Sequence, residues 1–314
     1  MVTKEFTYLS ANGTTNIHAV EWLPEGEVKA ILQISHGVAE YILRYAPFAE
    51  FLTEQGFAVV GHDHLGHGDS IGTGDTPLYF GGKGSWDFVV EDIEKRRRLA
   101  REQFPNLPYF LLGHSMGSFL ARTYLIRHPG QVDGAVIMGT GQMGTALVQG
   151  GLLVAALESA RIGADKASPL VDKLAFGAYN KPFAPNRTSH DWLSADEENV
   201  DAYLAHPQCG GMPTAGLFRE MLHGIAFITR QSNVEKMDKN TPILLISGGM
   251  DPVGDLGRGV QRAYESFQRA GIGDVSIKIY PGLRHEILNE GCREEVYQDI
   301  FAWLATKTAV ALPL

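Results

Sequence analysis

The sequence predicts an α/β fold: a mostly parallel central sheet with helices on both faces and a helical insertion late in the chain. Three observations lead there. Short apolar runs recur along the 314 residues, each closed by turn residues as a buried parallel strand would be. Helical patterns lie between those runs, and that alternation marks a layered sheet. Between about residues 141 and 235 the alternation stops, and helical patterns follow one another without strand-like runs.

The chain opens differently. Residues 3–9 and 17–23 alternate apolar and polar around Asn12-Gly13, which predicts an antiparallel hairpin. The runs at 30–35, 57–61, 109–112, 134–138, 243–246 and 275–280 read as buried strands. They end at His36-Gly37, His62-Asp63, Gly113, Gly139, Ser247-Gly248 and Pro281-Gly282. Helices are expected over 45–55, 86–103, 116–128, 256–270 and 293–306. In the second of these, Val89, Val90, Ile93 and Leu99 form the apolar side. Its basic run Lys95, Arg96, Arg97 and Arg98 falls mostly on the other side and reads as a solvated face. Further helices are expected over 145–162, 170–179, 196–205 and 217–229, punctuated by Pro182, Pro185, Pro207, Pro213 and Gly210-Gly211. The expected organisation is a core of residues 1–141 and 236–314 with a cap of residues 142–235. The cap should lie over the C-terminal edge of the sheet, where α/β proteins bind ligands.

Composition narrows the function classes. There are 27 Lys and Arg against 36 Asp and Glu, a formal charge of −9, which argues against nucleic acid or an anionic membrane as main partner. With 44% hydrophobic and 20% charged residues the chain reads as a soluble globular protein. Two cysteines, Cys209 and Cys292, are too few for a disulfide scaffold or a cysteine zinc site, and reduced thiols are expected. The N-terminal stretch lacks an apolar segment behind a basic start, and no apolar run is long enough to span a bilayer. A cytoplasmic location is therefore expected.

The chemistry starts at Gly113-His114-Ser115-Met116-Gly117, which fits G-x-S-x-G between an apolar run and a helical one. That context is what a nucleophile elbow requires. A sharp strand-to-helix turn strains the serine backbone and leaves no room for bulky neighbours. The helix dipole behind Ser115 favours negative charge there. A chance match in a chain with 36 glycines is the alternative. In such an arrangement the acid and then the histidine follow the serine in the chain. Asp251 lies just past the run at 243–246, placed to accept an imidazole Nδ1–H and hold the tautomer. Asp255 competes locally but reads as the N-cap of the next helix. His285 lies just past the run at 275–280 and is the candidate general base. Two backbone N–H groups should stabilise the oxyanion: that of Met116, and that of Val38 in the loop after the third strand.

These segments carry a resemblance. His36-Gly37-x-x-Glu40-x-x-x-Arg44-Tyr45, Asp63-His64-Leu65-Gly66-His67-Gly68-Asp69-Ser70, Gly113–Gly117 and Gly282-Leu283-Arg284-His285-Glu286 resemble motifs of the monoacylglycerol lipase and lysophospholipase-like branch of α/β-hydrolases. They span about residues 30 to 290. The resemblance implies the α/β-hydrolase fold, a Ser-His-Asp triad and an ester substrate. It also implies that Glu40 and Arg44 either bind a polar head group or form a salt bridge that holds the oxyanion loop. The chain departs from the branch at Tyr41-Ile42, where His-Ser is usual, which speaks against recognition of a glycerol head group; Ile42 and Leu43 either make the pocket mouth more apolar or pack under the cap. Asp63, His67 and Ser70 read as structural, holding the loop after the fourth strand.

In the cap, residues 145–157 are apolar nearly all round and either line an acyl pocket, rest on a membrane surface or pack inside. Leu152, Leu217 and Met221 are candidate pocket residues. His206 and His223 have no matching carboxylate cluster, so neither a metal nor another cofactor is expected. The function expected is hydrolysis of a single-chain lipid ester, a monoacylglycerol or lysophospholipid, through an acyl-enzyme, with at most transient membrane contact. A general carboxylesterase, a feruloyl esterase or an aminopeptidase on the same fold is the alternative. An aminopeptidase would need an acidic cap cluster, for which Asp196-Glu197-Glu198 is the candidate, although it also reads as an exposed helix start. A binding protein that has lost catalysis is a further alternative, against which all three triad candidates speak.

Overall fold

The computed structural model describes residues 1–308. β1 (Val2–Leu9) and β2 (Asn16–Leu23) pair antiparallel about the Asn12-Gly13 turn. β3 (Ala30–Ser35), β4 (Phe57–His62), β5 (Tyr109–His114), β6 (Gly134–Met138), β7 (Ile243–Gly248) and β8 (Val275–Tyr280) run parallel to one another. The sheet order is β1-β2-β4-β3-β5-β6-β7-β8, with β2 antiparallel to β4.

The apolar runs form strands because both faces of the sheet are covered, and successive residues divide between the two sides. Ala58, Tyr109, Leu111, Ala135, Ile137, Ile243 and Leu245 face one apolar cluster. Phe57, Val59, Phe110, Leu112, Val136, Leu244 and Ile246 face the other. The second side is closed by α1 (Ala46–Glu54) and α10 (Arg293–Thr306), through Phe48, Leu52, Ile300 and Phe301. The first is closed by α2 (Ser85–Gln103), α3 (Met116–Arg127) and α9 (Arg258–Arg269), through Val89, Ile93, Leu120 and Phe267. This is the α/β-hydrolase arrangement, with the chain crossing from β3 to β4 and back beside β3 to form β5.

Between β6 and β7 lie α4 (Thr145–Ile162), α5 (Pro169–Phe176), α6 (Glu197–Ala205), α7 (Ala215–Thr229) and the short α8 (Gln231–Val234). Asp196 caps α6 by accepting from the Glu198 and Asn199 N–H groups, so the acidic triplet is a helix start. α7 packs deep: Gly224 lies so near the Trp86 ring of α2 that a Cβ there would sit 2.2 Å from it. Among the described residues no helix is long and apolar enough to cross a membrane. Cys209 is buried and Cys292 exposed, and both are free thiols.

Three local expectations need correction. Asp255 is not the N-cap of α9; that place belongs to Gly257 at φ +86°, a conformation natural to glycine, while Asp255 pairs with Arg258 and Arg262. The basic run of α2 is a solvated face only in part, with Arg98 exposed. Arg96 is fully buried against Glu21 of β2, and Arg97 and Arg98 both pair with Glu94. The hairpin, invisible to a helical-wheel argument, covers that side of α2. α5 ends at Phe176 and not at residue 179, because Gly177 closes it.

Candidate active site

The carboxyl ends of β3, β5, β6, β7 and β8 bring the candidate residues to one edge. Ser115 follows β5 directly, at φ +54° and ψ −121°, a region that side chains other than glycine rarely adopt. Its two flanking glycines are sterically required. A Cβ on Gly113 would lie 2.3 Å from the Gly117 carbonyl oxygen, and one on Gly117 would lie 2.0 Å from the Ser35 carbonyl oxygen. The Ser115 N–H donates to the Met138 carbonyl at the end of β6, and the Ser118 hydroxyl donates to the Ser115 carbonyl. The turn is therefore held from both sides, and α3 begins at the next residue with its N-terminus behind the hydroxyl.

Asp251 and His285 come together in the loops after β7 and β8. His285 Nδ1 and Asp251 Oδ2 are 2.9 Å apart, and both residues are buried. Asp251 also accepts from the Ser247 hydroxyl at 3.2 Å and from the Val253 N–H at 2.9 Å, which fixes the carboxylate plane. The two loops are stitched by the Met250 N–H on the Leu283 carbonyl. A carboxylate on Nδ1 leaves Nε2 as the free face of the ring. The imidazole is flanked by the His114 ring at 4.7 Å and the Trp192 ring at 5.1 Å between centroids. Gly139 makes room here: a Cβ on it would lie 3.1 Å from both His114 and His285. His285 bonds Asp251 through Nδ1, and its Nε2 makes no direct hydrogen bond to Ser115 Oγ.

The loop after β3 runs beside Ser115, with a Cβ on Gly37 only 3.1 Å from the Ser115 Cβ. Glu40 and Arg44 lie inside it, engaged with protein partners. Glu40 Oε1 accepts from the Gly37 N–H at 2.5 Å and the Tyr45 hydroxyl at 3.0 Å, and Oε2 pairs with Arg44 at 2.7 Å. Arg44 makes a two-pronged pair with Glu286, 2.7 Å on each prong. Burial would raise the Glu40 carboxyl, but the hydrogen bond to His114 and the charge of Arg44 outweigh it and hold it well below the usual carboxylate range. Burial would likewise disfavour the His114 cation, and the Glu40 carboxylate 3.2 Å from its Nδ1 reverses that, so its pKa is raised. The four residues form one buried charge network behind the serine turn.

Val38 and Met116, the two expected oxyanion donors, sit on the segments that flank Ser115. The Met116 N–H is at the first position of α3 and has no intrahelical partner. Leu217 is fully buried and Met221 nearly so, in the same apolar cluster as Met116 and Phe119, with Leu152 partly buried against it. Asp63, His67 and Ser70 hold their loop as expected: Asp63 accepts from the Ile42 and Asp69 N–H groups, Ser70 bonds the Asp63 carbonyl, and His67 bonds that of Leu65. Among the described residues one group could ligate a metal, His18, Asp63 and Asp69, but His18 is already bonded to Asp63 and Glu5.

Glu286 enters the sequence reading only as the end of the Gly282–Glu286 motif, without a role, and Trp192 and Tyr203 do not enter it. Glu286 adjoins the candidate histidine, and its charge in a buried segment was the available signal. Nothing local marks Trp192 or Tyr203; they reach the site through the path of the insertion.

With this geometry in hand, comparison with known proteins is specific. A family described as serine aminopeptidase, S33, matches residues 26–291. The chain belongs to that family. It is also 30% identical to human monoglyceride lipase over 298 residues, covering 92% of this chain and 87% of that one. Monoacylglycerol lipase of Mycolicibacterium smegmatis is 28% identical over 314 residues, covering 96% and 97%. Among solved structures, a thermostable carboxyl esterase from Bacillus coagulans superposes with a TM-score of 0.90 at 29% identity, covering 98% of this chain and 99% of that one. The protein is an α/β-hydrolase of the monoacylglycerol lipase-like branch and a carboxylic-ester hydrolase.

Proposed function

We propose that the protein cleaves single-chain lipid esters, a monoacylglycerol or lysophospholipid, with Ser115 as nucleophile, His285 as general base and Asp251 as its orienting acid. The observation that carries this reading is the buried Asp251–His285 pair, 2.9 Å apart, on the same sheet edge as the strained serine turn. His285 Nε2 takes the Ser115 proton as Oγ attacks the ester carbonyl. The Val38 and Met116 N–H groups stabilise the tetrahedral oxyanion. The imidazolium, steadied by Asp251, gives its proton to the departing alkoxide. Water then attacks the acyl-enzyme by the same route and frees the acid.

Glu40 and Arg44 hold the oxyanion loop in this reading, since their charges are spent on each other, on Gly37 and on Glu286. Leu152, Leu217 and Met221 supply the apolar wall for the acyl chain, with residues 142–235 acting as a cap over the core. The names of the human and mycobacterial relatives support the lipid substrate. The B. coagulans carboxyl esterase supports a second reading, a general carboxylesterase. The acidic triplet, used as a helix start, gives an aminopeptidase no ammonium site.

Fatty-acid release from 1-monooleoylglycerol, run beside p-nitrophenyl acetate and an aminoacyl p-nitroanilide, separates these. Oleate release by wild type that disappears in Ser115→Ala is the expected result. Turnover of the short ester alone sinks the lipid reading, and turnover that survives in Ser115→Ala sinks the nucleophile. No turnover at all leaves the binding-protein alternative.

A further inference from the structure

We infer that Tyr203, on helix α6 of the inserted segment, is a positioning residue for the oxyanion hole, acting through the Ala39 carbonyl. The inference rests on the reading of Ser115 and Val38 given above. The loop from Gly37 to Glu40 is held at its two ends by different parts of the chain. At the first end the Gly37 N–H donates to Glu40 Oε1 at 2.5 Å. At the second, the Ala39 carbonyl accepts two hydrogen bonds, from the Tyr203 hydroxyl at 2.9 Å and from the Gly210 N–H at 3.0 Å. Both donors belong to the insertion. Between the two anchors lies the Val38 N–H, which has no acceptor among the described residues and is free to meet an oxyanion.

The second anchor matters because Ala39 stands at φ +54°, in the left-handed region that an alanine avoids. A residue in that region persists when its surroundings over-determine it. The Val38 N–H shares its peptide plane with the Gly37 carbonyl, which accepts from His36 Nδ1 at 2.7 Å; the Ala39 carbonyl holds the plane that leaves Ala39, and so limits how the Val38–Ala39 link between them can turn. Tyr203 also reaches the first anchor. Its ring lies under the Arg44 guanidinium, 4.9 Å from the ring centroid, and Arg44 pairs with the same Glu40 that holds Gly37. Asn199, one turn earlier on α6, bonds Glu286 at 2.9 Å, which completes the pair with Arg44. The side chain is buried among Leu193 and Cys209, so its hydroxyl has one partner and one orientation. An oxyanion donor is useful only where the developing charge will be, and a misplacement of about 1 Å costs on the order of a hundredfold in rate.

Tyr203→Phe removes the hydroxyl and leaves the ring, the Arg44 contact and the Gly210 donor in place. Turnover of p-nitrophenyl acetate, expressed per site titrated with a fluorophosphonate so that unfolded molecules do not count, should lose about tenfold in kcat with KM changed less than twofold. Inhibition by a trifluoromethyl ketone, whose hemiketal oxygen fills the oxyanion position, should weaken by the same factor, while inhibition by oleyl alcohol, which carries no anionic oxygen, should not change. Unchanged kcat and ketone affinity in Tyr203→Phe, with Ser115→Ala inactive, overturns this inference and leaves the nucleophile standing. Activity surviving in Ser115→Ala overturns the underlying reading instead. Equal weakening of ketone and oleyl alcohol would make Tyr203 a pocket wall, which also overturns the positioning role.

Discussion

At the scale of single residues, the serine turn is governed by space as much as by strain. Gly117 faces the Ser35 backbone, which cannot move aside without breaking β3. Gly117→Ala should therefore destabilise the protein by about 1–3 kcal/mol, the usual cost of overpacking, and lower turnover as the turn is displaced. Thermal melting beside the ester assay checks both, and an unshifted melting temperature would refute the steric account. Asp251→Asn keeps the shape of the acid but turns one oxygen into a donor. It should lower kcat by about 10⁴ through the wrong imidazole tautomer, with little change in melting temperature. A loss of less than tenfold would remove Asp251 from the proposed triad. Trp192 shows how far residue-level signals reach: its ring packs 5.1 Å from the His285 ring, yet no spacing along the chain ties the two together.

At the scale of elements, the hairpin and α2 illustrate how a surface helix becomes a buried one. β1 and β2 wrap the side of α2 that carries Arg96, and the Arg96–Glu21 pair at 2.9 Å closes that contact. A buried ion pair adds little over an apolar pair, but breaking it strands a charge. Glu21→Gln should cost about 3–5 kcal/mol in urea unfolding, while Glu21→Leu with Arg96→Met should cost markedly less. A double variant no more stable than the single one would count against the stranded-charge explanation. The segment linking α5 to α7 makes a comparable tie at the site edge. Glu290 after β8 receives the Ser194 hydroxyl and the Ala195 N–H, and the Leu193 carbonyl accepts from the Glu286 N–H. This part of the insertion is fastened to the loop of the candidate base. Helices α4 and α5 instead expose Leu147, Leu153, Leu157 and Leu174.

At the scale of the whole molecule, charge burial sets how stability varies with pH. His36, His62, His64 and His67 crowd beside the loop after β3, with His36 and His64 ring centroids 4.2 Å apart and those of His62 and His64 4.9 Å apart. Burial, reinforced by mutual repulsion, lowers the pKa of all four, to about 3 for His62 and for His67. Their folded pKa lies below the unfolded value, so they stay neutral in the native state while the unfolded chain takes up protons. Stability is therefore complete above about pH 6.5 and falls as pH drops toward 3. His18 has the opposite sign: its hydrogen bond to Asp63 leads its rise to about 9, so its contribution is lost as pH climbs from 6.5 through 9. Urea midpoints should thus fall by an amount worth several kcal/mol between pH 7 and pH 4. They should fall far less from pH 7 to pH 9.5. A midpoint flat between pH 7 and pH 5 would show that the four imidazoles do not govern the acid limb.

Much of this molecule was legible along the chain. Short continuous apolar runs closed by turn residues mark strands because each strand is buried on both faces, and the expected mostly parallel sheet is the one found. Strand ends were harder: β4, β5 and β7 continue one or two residues into His62, His114 and Gly248, where pairing outlasts the apolar pattern. Ser115, Asp251 and His285 stood out because a sharp turn and the order of the loops are local properties of sequence, and tertiary structure brings the last two into contact. What tertiary structure alone decided is what lies between distant segments. The burial of Arg96, the pairing of Arg44 with Glu286, and the reach of Tyr203 to Ala39 are contacts across 75, 242 and 164 residues. Such contacts depend on how elements pack, and no periodicity within either partner records them.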